Sequence, residues 1–310
     1  MVSASAAAAS PDVLRRAYGA CTELARAHYE NFPVASLLLP RRMRPAIAAV
    51  YAFARRADDF ADEPGYSQPE RLRLLDDWQR RLDAAAAGRV SAGTDNDLIF
   101  VAVADAIREH DLPVSLFSDL LSAFRQDVTT TRYERWDDVL DYCRRSANPV
   151  GRLVLRIAGY RDDALDLSSD ALCTALQLTN FWQDFARDWQ NGRLYVPRAD
   201  YESFGAREQD LEAVLGHPQT AAGPRLPLAA EWRAAMGEMS RRTRELFNDG
   251  RFVCERVGGR LRYELRLTWH GGARILERVE RSNFDVRHRP TLGARDAGSI
   301  LWRAALWTAA

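Results

Sequence analysis

Two pairs of aspartates at helical spacing are the residues of this chain best suited to chemistry. Asp58 and Asp62 lie one turn apart in the stretch 45–63, and Asp184 and Asp188 repeat the spacing further along. Carboxylates one turn apart on a helix point their oxygens in the same direction. Such a pair suits a hard divalent cation such as Mg²⁺, which is bound by one or two carboxylates together with phosphate oxygens.

Each aspartate pair is embedded in an apolar helical pattern. In the first stretch a polar stripe carries Tyr51, Arg55 and Asp59 beside the aspartates, and in the second Gln177 and Asn180 precede the aspartates on one helical face. The pattern predicts buried acids, which are costly unless a cation compensates them. One such pair alone is typical of a solvated helix face. Two pairs in similar surroundings favour a cavity with metal ligands on both walls.

Composition limits the classes of function. The chain has 310 residues, of which 47% are hydrophobic, and this suffices for one large domain. Lys+Arg and Asp+Glu both number 43, so no net field favours a nucleic-acid partner or an anionic membrane. Arginine greatly outnumbers lysine, and the guanidinium group is the better partner for a diphosphate.

The cysteines and histidines form no metal-ligand spacing, which argues against a zinc enzyme. We interpret Cys21, Cys143, Cys173 and Cys254 as reduced structural thiols of a cytosolic protein. Residues 1–10 lack the basic region and leucine-rich core of a signal peptide. No segment reaches the roughly 18 apolar residues that a membrane span requires.

Nearly every segment from residue 11 onward follows a helical pattern, and no alternating strand pattern of useful length occurs. We therefore predict an all-α fold for a domain at 11–298, between a disordered tail at 1–10 and an amphipathic C-terminal tail at 299–310. The last long helices of the domain are predicted at 231–252 and 263–283.

Two local features leave alternatives open. Asn148-Pro149 interrupts a periodic stretch, which fits either a kink that opens a space beside the backbone or a break between two ordinary helices. Trp302 and Trp307 in the C-terminal tail fit either packing against the core or contact with a membrane interface.

Four stretches of the sequence resemble the squalene and phytoene synthase family. They are NFPVASLLLP from Asn31, YAFARRADDFADE from Tyr51, ANPVGRL from Ala147 and LTNFWQDFARDWQNGRLYVP from Leu178. The stretches are most similar to the hydroxysqualene synthase branch used in bacterial hopanoid synthesis. The resemblance implies a single-domain class I isoprenoid synthase helical bundle with a central cavity. It also implies a Mg²⁺-dependent carbon–oxygen lyase that acts on a diphosphate.

The resemblance further implies roles for individual residues. The implied Mg²⁺ ligands are Asp58, Asp62, Asn180, Asp184 and Asp188. The four aspartates are also implied as catalytic residues, together with Tyr142. The implied substrate-binding residues are His28, Phe32, Tyr51, Arg55, Asn148, Gln177 and Arg289. A cationic intermediate also needs π faces, and we expect two or three aromatic residues of these segments in the pocket wall. The candidates are Phe32, Tyr51, Phe53, Phe181, Trp182 and Phe185.

The implied reaction converts presqualene diphosphate and water to hydroxysqualene and diphosphate. The nearest alternative is the head-to-head condensation of two farnesyl or geranylgeranyl diphosphates. A non-catalytic helical scaffold is disfavoured, because both acidic motifs are intact and buried acids without a ligand would only destabilise the fold. A reductive reaction would need a nicotinamide cofactor, and no GxGxxG follows a predicted strand.

The expected partner is an isoprenoid diphosphate, and no nucleic acid is expected. The protein is predicted to be cytoplasmic. Peripheral contact with the inner face of the cell membrane is a second expectation, because the implied substrate and product are long hydrocarbons. Association with neighbouring hopanoid-pathway enzymes is a further expectation.

Overall fold

The computed structural model describes residues 9–27, 39–62, 65–216, 228–286 and 288–307. The described chain is all-α, as the sequence predicts, and within these ranges the only strand-like pairing is an isolated bridge between Arg132 and Leu194. The helices of the described ranges are α1 (Pro11–Ala27), α2 (Arg44–Asp62), α3 (Gln68–Ala86), α4 (Asp95–His110), α5 (Val114–Thr129), α6 (Trp136–Ser146), α7 (Asn148–Ile157), α8 (Asp163–Gln183), α9 (Phe185–Gln190), α10 (Arg198–Ser203), α11 (Glu208–Leu215), α12 (Ala230–Asp249), α13 (Arg251–Arg256), α14 (Gly259–Arg281) and α15 (Ala294–Leu306).

The first of two compact units contains residues 1–129 and 145–166. Helix α2 lies in its core, where it contacts α1, α3, α4, α5 and α7. Alanines such as Ala49, Ala52 and Ala57 are fully buried, and their small side chains let the neighbouring helices approach closely. Phe53 is also fully buried and packs edge-on against the ring of Phe117, 5.2 Å away between centroids. This packing fixes the helix that carries the first aspartate pair.

The second compact unit contains residues 130–144 and 167–310. Helix α8 is joined to α12 by a buried hydrogen bond, in which Trp182 Nε1 donates to Thr243 Oγ1 over 2.9 Å. The turn after α12 also lies very close to α8, because a Cβ added at Gly250 would lie 2.8 Å from Leu172 Cβ. Only glycine permits this approach, which anchors α8, the helix that directly precedes the second aspartate pair.

Two predicted helix boundaries differ from the structure. The helix predicted at 231–252 is divided at Gly250 into α12 and α13. The helix predicted at 263–283 begins one turn earlier, at Gly259, and ends at Arg281. The apolar residues keep their helical spacing on both sides of Gly250. The periodicity of the sequence therefore did not indicate that the helix is divided there.

The C-terminal helix α15 begins at Ala294 and packs against α14. Asp296 accepts a hydrogen bond from Arg278 Nη2 over 2.7 Å. Trp307 packs edge-on against Trp269 and His270, whereas Trp302 is 67% exposed. The two tryptophans therefore differ, since one packs on the core and the other faces solvent. None of the described helices is both long enough and apolar enough to cross a bilayer.

Buried thiols occur in both units. Cys21, Cys143 and Cys254 are fully buried. Burial raises the pKa of Cys21 and of Cys254 to about 12, so both remain protonated at neutral pH. These two cysteines are therefore poor nucleophiles and poor metal ligands, in agreement with a structural role.

Glu264 is a buried acid of α14 that the sequence analysis did not single out. Glu264 is only 6% exposed, and its Oε2 has no hydrogen-bond partner among the described residues. Burial raises the pKa of Glu264 from 4.5 to about 8. The folded protein therefore keeps this proton at neutral pH, whereas the unfolded chain releases it.

We expect the Glu264→Gln substitution to flatten the fall in stability with rising pH. The stability that protonated Glu264 contributes is present in full below about pH 4.5 and is lost as the pH rises towards 8. The variant should gain about 4 kcal/mol relative to the parent between pH 5 and pH 8, since each pH unit in this window is worth about 1.4 kcal/mol. Urea unfolding at each pH measures this gain.

The exposed Glu109 supplies the control for this experiment, because Glu109→Gln should leave the pH dependence unchanged. Burial lowers the pKa of His270 to about 4, so this residue makes stability rise between about pH 4 and pH 6.5. It does so equally in the parent and in both variants, and it therefore cancels from the comparison. Parallel curves for the parent and Glu264→Gln would contradict the assignment.

Candidate active site

The first aspartate pair lies near the C-terminal end of α2 in the first unit. Asp58 is partly exposed, with 42% of its side chain accessible, and Asp62 is exposed. Between them, Asp59 is only 20% exposed and is paired with Arg55 Nη2 at 2.7 Å and with Arg56 Nη1 at 3.9 Å. The arginines thus neutralise the more buried acid, and the two aspartates at helical spacing present their oxygens towards solvent.

The prediction that the acids of α2 are buried is wrong for Asp58 and Asp62. The alanines and Phe53 fill the apolar face of the helix, and the polar stripe lies at its edge, where water reaches the carboxylates. The argument that these acids need a cation to offset a burial penalty therefore does not apply to them. Their spacing on a rigid helix still suits a hard cation.

Arg55 and Tyr51 share the polar stripe of α2 with Asp58. Arg55 Nη1 lies 3.5 Å from Asp58 Oδ2, and Arg55 Nε is buried without a hydrogen-bond partner among the described residues. Tyr51 is 36% exposed, and burial is the largest of the effects that raise its pKa. A buried guanidinium N–H without an acceptor beside solvent-facing carboxylates fits a site that receives an anion.

The second aspartate pair lies at the junction of α8 and α9 in the second unit. Asp184 leaves helical geometry with φ −97° and ψ 11°, so that α8 ends at Gln183 and α9 begins at Phe185. The backbone ladder nevertheless continues, since Asp184 N–H donates to Asn180 O over 2.8 Å and Asp188 N–H donates to Asp184 O over 2.9 Å. The register that places these residues on one face is therefore kept through the interruption.

Exposure differs among the polar residues of this face. Asn180 is exposed, Gln177 and Asp188 are intermediate, and Asp184 is only 8% exposed. Asp184 is thus the one predicted metal ligand among the described residues that meets the expectation of a buried acid. A buried carboxylate requires a positive partner.

Arg289 is that partner. Its Nε donates to Asp184 Oδ1 in a short hydrogen bond, and its Nη2 donates to Asp184 Oδ2 over 3.3 Å. These hydrogen bonds raise the pKa of Arg289. The next residue is also held at the junction, because Gln183 Nε2 donates to Pro290 O over 2.5 Å. The predicted late arginine therefore contacts the second aspartate motif directly.

Tyr142 belongs to an aromatic cluster of the second unit, which we define as Tyr133, Tyr142, Phe181 and Tyr195. Phe181 and Tyr195 stack with ring centroids 3.6 Å apart, and Tyr142 lies 6.1 Å from each of them. All four are at least 92% buried, given exposures of 8% or less. Sequence reasoning missed Tyr133 and Tyr195, because the cluster joins three segments that are far apart in the chain.

The other predicted aromatics serve the core. Phe53 packs within the first unit, Trp182 is hydrogen bonded to Thr243, and Phe185 packs edge-on against Trp232 at 5.9 Å. Each of the three is buried. Phe32 lies outside the described residues, as does His28.

The interruption at Asn148-Pro149 is a break between two helices. α6 ends at Ser146 and α7 begins at Asn148, with Pro149 in its first turn, where its missing N–H leaves no bond unmade. Asn148 is 7% exposed, so its side-chain amide is buried in the first unit. The second of the two alternatives is therefore confirmed.

The predicted site residues are distributed over both units. The first unit holds Tyr51, Arg55, Asp58, Asp62 and Asn148, and the second holds Tyr142, Gln177, Asn180, Asp184, Asp188 and Arg289. Within the described ranges no three acidic, histidine or cysteine side chains are grouped closely enough to bind a metal ion by themselves. The predicted donors are all carboxylate or amide oxygens, and this donor chemistry fits Mg²⁺.

The comparisons with known proteins all indicate the same family. The family model for squalene/phytoene synthase matches residues 25–296. Hydroxysqualene synthase of Zymomonas mobilis subsp. mobilis is 42% identical over 183 residues, which are 59% of this chain and 59% of that relative. Phytoene synthase of Mycobacterium bovis is 35% identical over 195 residues, which are 63% of this chain and 62% of that relative. The aligned parts thus span less than two thirds of these relatives.

A solved structure extends the similarity over more of the chain. The crystal structure of squalene synthase HpnC from Alicyclobacillus acidocaldarius is 39% identical to this chain, with a TM-score of 0.79. The superposition covers 89% of this chain and 97% of that chain. The all-α fold and the order of its helices are therefore shared with an isoprenoid synthase.

Proposed function

Because the chain belongs to the squalene/phytoene synthase family, we propose that it converts presqualene diphosphate and water to hydroxysqualene and diphosphate. The observation that supports this most is the 42% identity to a relative named hydroxysqualene synthase, against 35% to one named phytoene synthase. The presence of both aspartate motifs in the sequence also supports the proposal. The reaction breaks a carbon–oxygen bond, so the proposed enzyme is a carbon–oxygen lyase.

The predicted ligands of Mg²⁺ are Asp58 and Asp62 of α2 together with Asn180, Asp184 and Asp188 of the α8–α9 junction. When bound, Mg²⁺ neutralises the charge that develops on the departing diphosphate. Helices α2, α8 and α9 carry four of these side chains, and the hydrogen-bonded junction between α8 and α9 carries Asp184, so the backbone needs little reorganisation when the substrate binds.

Two arginines are proposed to bind the diphosphate. Arg55 offers a buried Nε without a partner among the described residues, and Arg289 offers a guanidinium that is 46% exposed. The planar guanidinium matches the oxygen geometry of a diphosphate and stays charged at any physiological pH. The role of the two arginines would be to hold the leaving group after the carbon–oxygen bond breaks. Tyr51 beside Arg55 in the first unit, and Gln177 on α8 in the second, are proposed as further substrate contacts.

The carbocation left on the hydrocarbon rearranges from a cyclopropylcarbinyl to an allylic form and is then captured by water. Its carbon forms a bond to the water oxygen, and the released diphosphate accepts the proton. The aromatic cluster around Tyr142 supplies π faces that stabilise a cation. Asn148 is our candidate to orient the water, because its amide is buried and polar.

The products made from defined substrates test the proposal. Purified protein with Mg²⁺ and presqualene diphosphate should release hydroxysqualene, identified by mass spectrometry, and a reduced nicotinamide should not change the product. Farnesyl or geranylgeranyl diphosphate alone should give little coupled product. A rapid condensation of two prenyl diphosphates would instead establish the alternative, and the absence of any product would support a scaffold.

We also propose that the protein associates peripherally with the inner face of the cell membrane through α15. Leu301, Trp302 and Leu306 are exposed along this helix, while Ala304 and Asp296 face α14. Exposed tryptophan and leucine on one side of a helix are typical of interfacial contact. A hydrocarbon product would leave most easily into the bilayer. Association with neighbouring hopanoid-pathway enzymes remains a separate prediction.

Flotation with liposomes that contain anionic lipid tests the membrane proposal. We expect Trp302→Glu to reduce the bound fraction about tenfold, since burying a charge in the interface opposes insertion. Leu167→Glu is a matched control, because Leu167 is 68% exposed at a site on α8. Equal binding of the parent and Trp302→Glu would remove α15 from the proposal.

A further inference from the structure

We infer that Arg289 occupies the Asp184 carboxylate until a divalent cation takes its place, and that the released guanidinium then binds the diphosphate. The inference rests on the proposed function and adds to it an order of events. One arginine would thus serve as a placeholder for the metal and afterwards as a ligand of the substrate.

The burial of the two partners is unequal. The Asp184 side chain is 9% exposed, whereas the Arg289 side chain is 46% exposed. The buried carboxylate requires a positive charge at all times, because an unpaired charge away from water is strongly unfavourable. The half-exposed guanidinium has no such requirement, since water can solvate it. Arg289 can therefore leave at little cost once another cation neutralises Asp184.

The geometry of the Arg289–Asp184 contact prevents a metal ion from binding Asp184 at the same time. Arg289 uses Nε for one oxygen of Asp184 and Nη2 for the other. Both oxygens that a metal ion would use are thus engaged by one guanidinium group. Arg289 must release at least one of them before Asp184 can bind a divalent cation.

The backbone next to Arg289 has its own anchor at the same junction. Pro290 O accepts a hydrogen bond from Gln183 Nε2, one residue before Asp184. This bond does not involve the guanidinium, so it can persist when the Arg289 side chain moves. The side chain would then remain near the α8–α9 junction, where the proposed leaving group is bound.

Diphosphate would complete the exchange. Its oxygens are better partners for a guanidinium than water is, so a bound diphosphate stabilises the released position of Arg289. Cation and diphosphate should therefore strengthen each other's binding more than charge attraction alone predicts. In the absence of diphosphate, Arg289 should weaken the binding of the cation.

Mn²⁺ titrations followed by electron paramagnetic resonance test this inference without measuring turnover. Mn²⁺ substitutes for Mg²⁺, and only the free ion gives the sharp signal. In the absence of diphosphate, Arg289→Gln should bind Mn²⁺ about five- to tenfold more tightly than the parent, because the competing hydrogen bonds are gone. With inorganic diphosphate present, the parent should gain more Mn²⁺ affinity than Arg289→Gln gains.

Arg187→Gln is the matched control for the loss of one positive charge. Arg187 is exposed and lies on α9, three residues after Asp184. Its removal should change Mn²⁺ affinity by less than about twofold, since exposed charges are strongly screened. Equal tightening in Arg187→Gln and Arg289→Gln would mean that charge alone acts, and the inference would be wrong.

Further outcomes separate this inference from the proposed function. Unchanged or weaker Mn²⁺ binding by Arg289→Gln would overturn the placeholder role while leaving the metal site in place. Loss of Mn²⁺ binding in Asp184→Asn supports the site, and a parent protein that binds no Mn²⁺ would overturn the proposed function itself. If Arg289→Gln fails to fold, Arg289→Lys replaces it, and this variant should show a smaller tightening because lysine lacks the two-point contact.

Discussion

The Asp58→Asn variant is expected to turn over presqualene diphosphate about 10²- to 10³-fold more slowly than the parent at saturating Mg²⁺. Asparagine keeps the size of the side chain but removes the negative charge that a divalent cation needs. The loss should fall mainly on kcat, because charge on the diphosphate develops as the carbon–oxygen bond breaks. Steady-state assays with product quantification measure it.

The fold should tolerate this change. Asp58 is 42% exposed, and its pairing with Arg55 is a surface ion pair, so the free energy of unfolding should fall by less than about 1 kcal/mol. Asp77→Asn provides a close control, because Asp77 is 43% exposed and is paired with Arg80 three residues away on α3. Asp77→Asn should keep the rate of the parent. Turnover by Asp58→Asn at the rate of the parent would show that this carboxylate does not act in the reaction.

Removal of divalent cations is expected to reduce turnover at least about 100-fold, and added Mg²⁺ should restore it. The physical reason is that diphosphate is a poor leaving group while its developing charge is not neutralised, and two arginines supply too little positive charge for this. Protein treated with EDTA and then desalted should be assayed with and without Mg²⁺.

Circular dichroism separates this effect from unfolding. The helices of both units are held by buried apolar residues such as Phe53 and Trp182, so their helical signal should persist after chelation. A rate that survives EDTA treatment would contradict a metal-dependent reaction. A rate that Mg²⁺ fails to restore, with the helical signal lost, would instead indicate a structural metal.

The helices that carry the candidate site could be predicted from sequence. In α2 the apolar spacing marks one face over several turns, from Ala46 to Ala61. The spacing of Asp58 to Asp62 is a local property of one helix, and a backbone hydrogen bond from Asp188 to Asp184 keeps the same spacing after the α8–α9 junction. Every α-helix has the same number of residues per turn, so this spacing does not depend on how the helix packs against the rest of the chain.

The depth of each acid could not be predicted in the same way. Asp58 and Asp184 occupy similar apolar stretches, yet one is 42% exposed and the other 9%. Exposure depends on which neighbouring elements cover the polar stripe. Those elements are distant in sequence, and a helical period contains no information about them.

The chain's sequence by itself determined the all-α class, the two aspartate motifs and their family. The tertiary structure alone decided that Arg289 pairs with Asp184 and that Tyr133 and Tyr195 join Tyr142 in an aromatic cluster. Arg289 and Asp184 are separated by 105 positions, and no periodicity links residues so far apart. Such contacts arise only when packing brings separate segments together, because burial and pairing are properties of the folded chain and not of its individual helices.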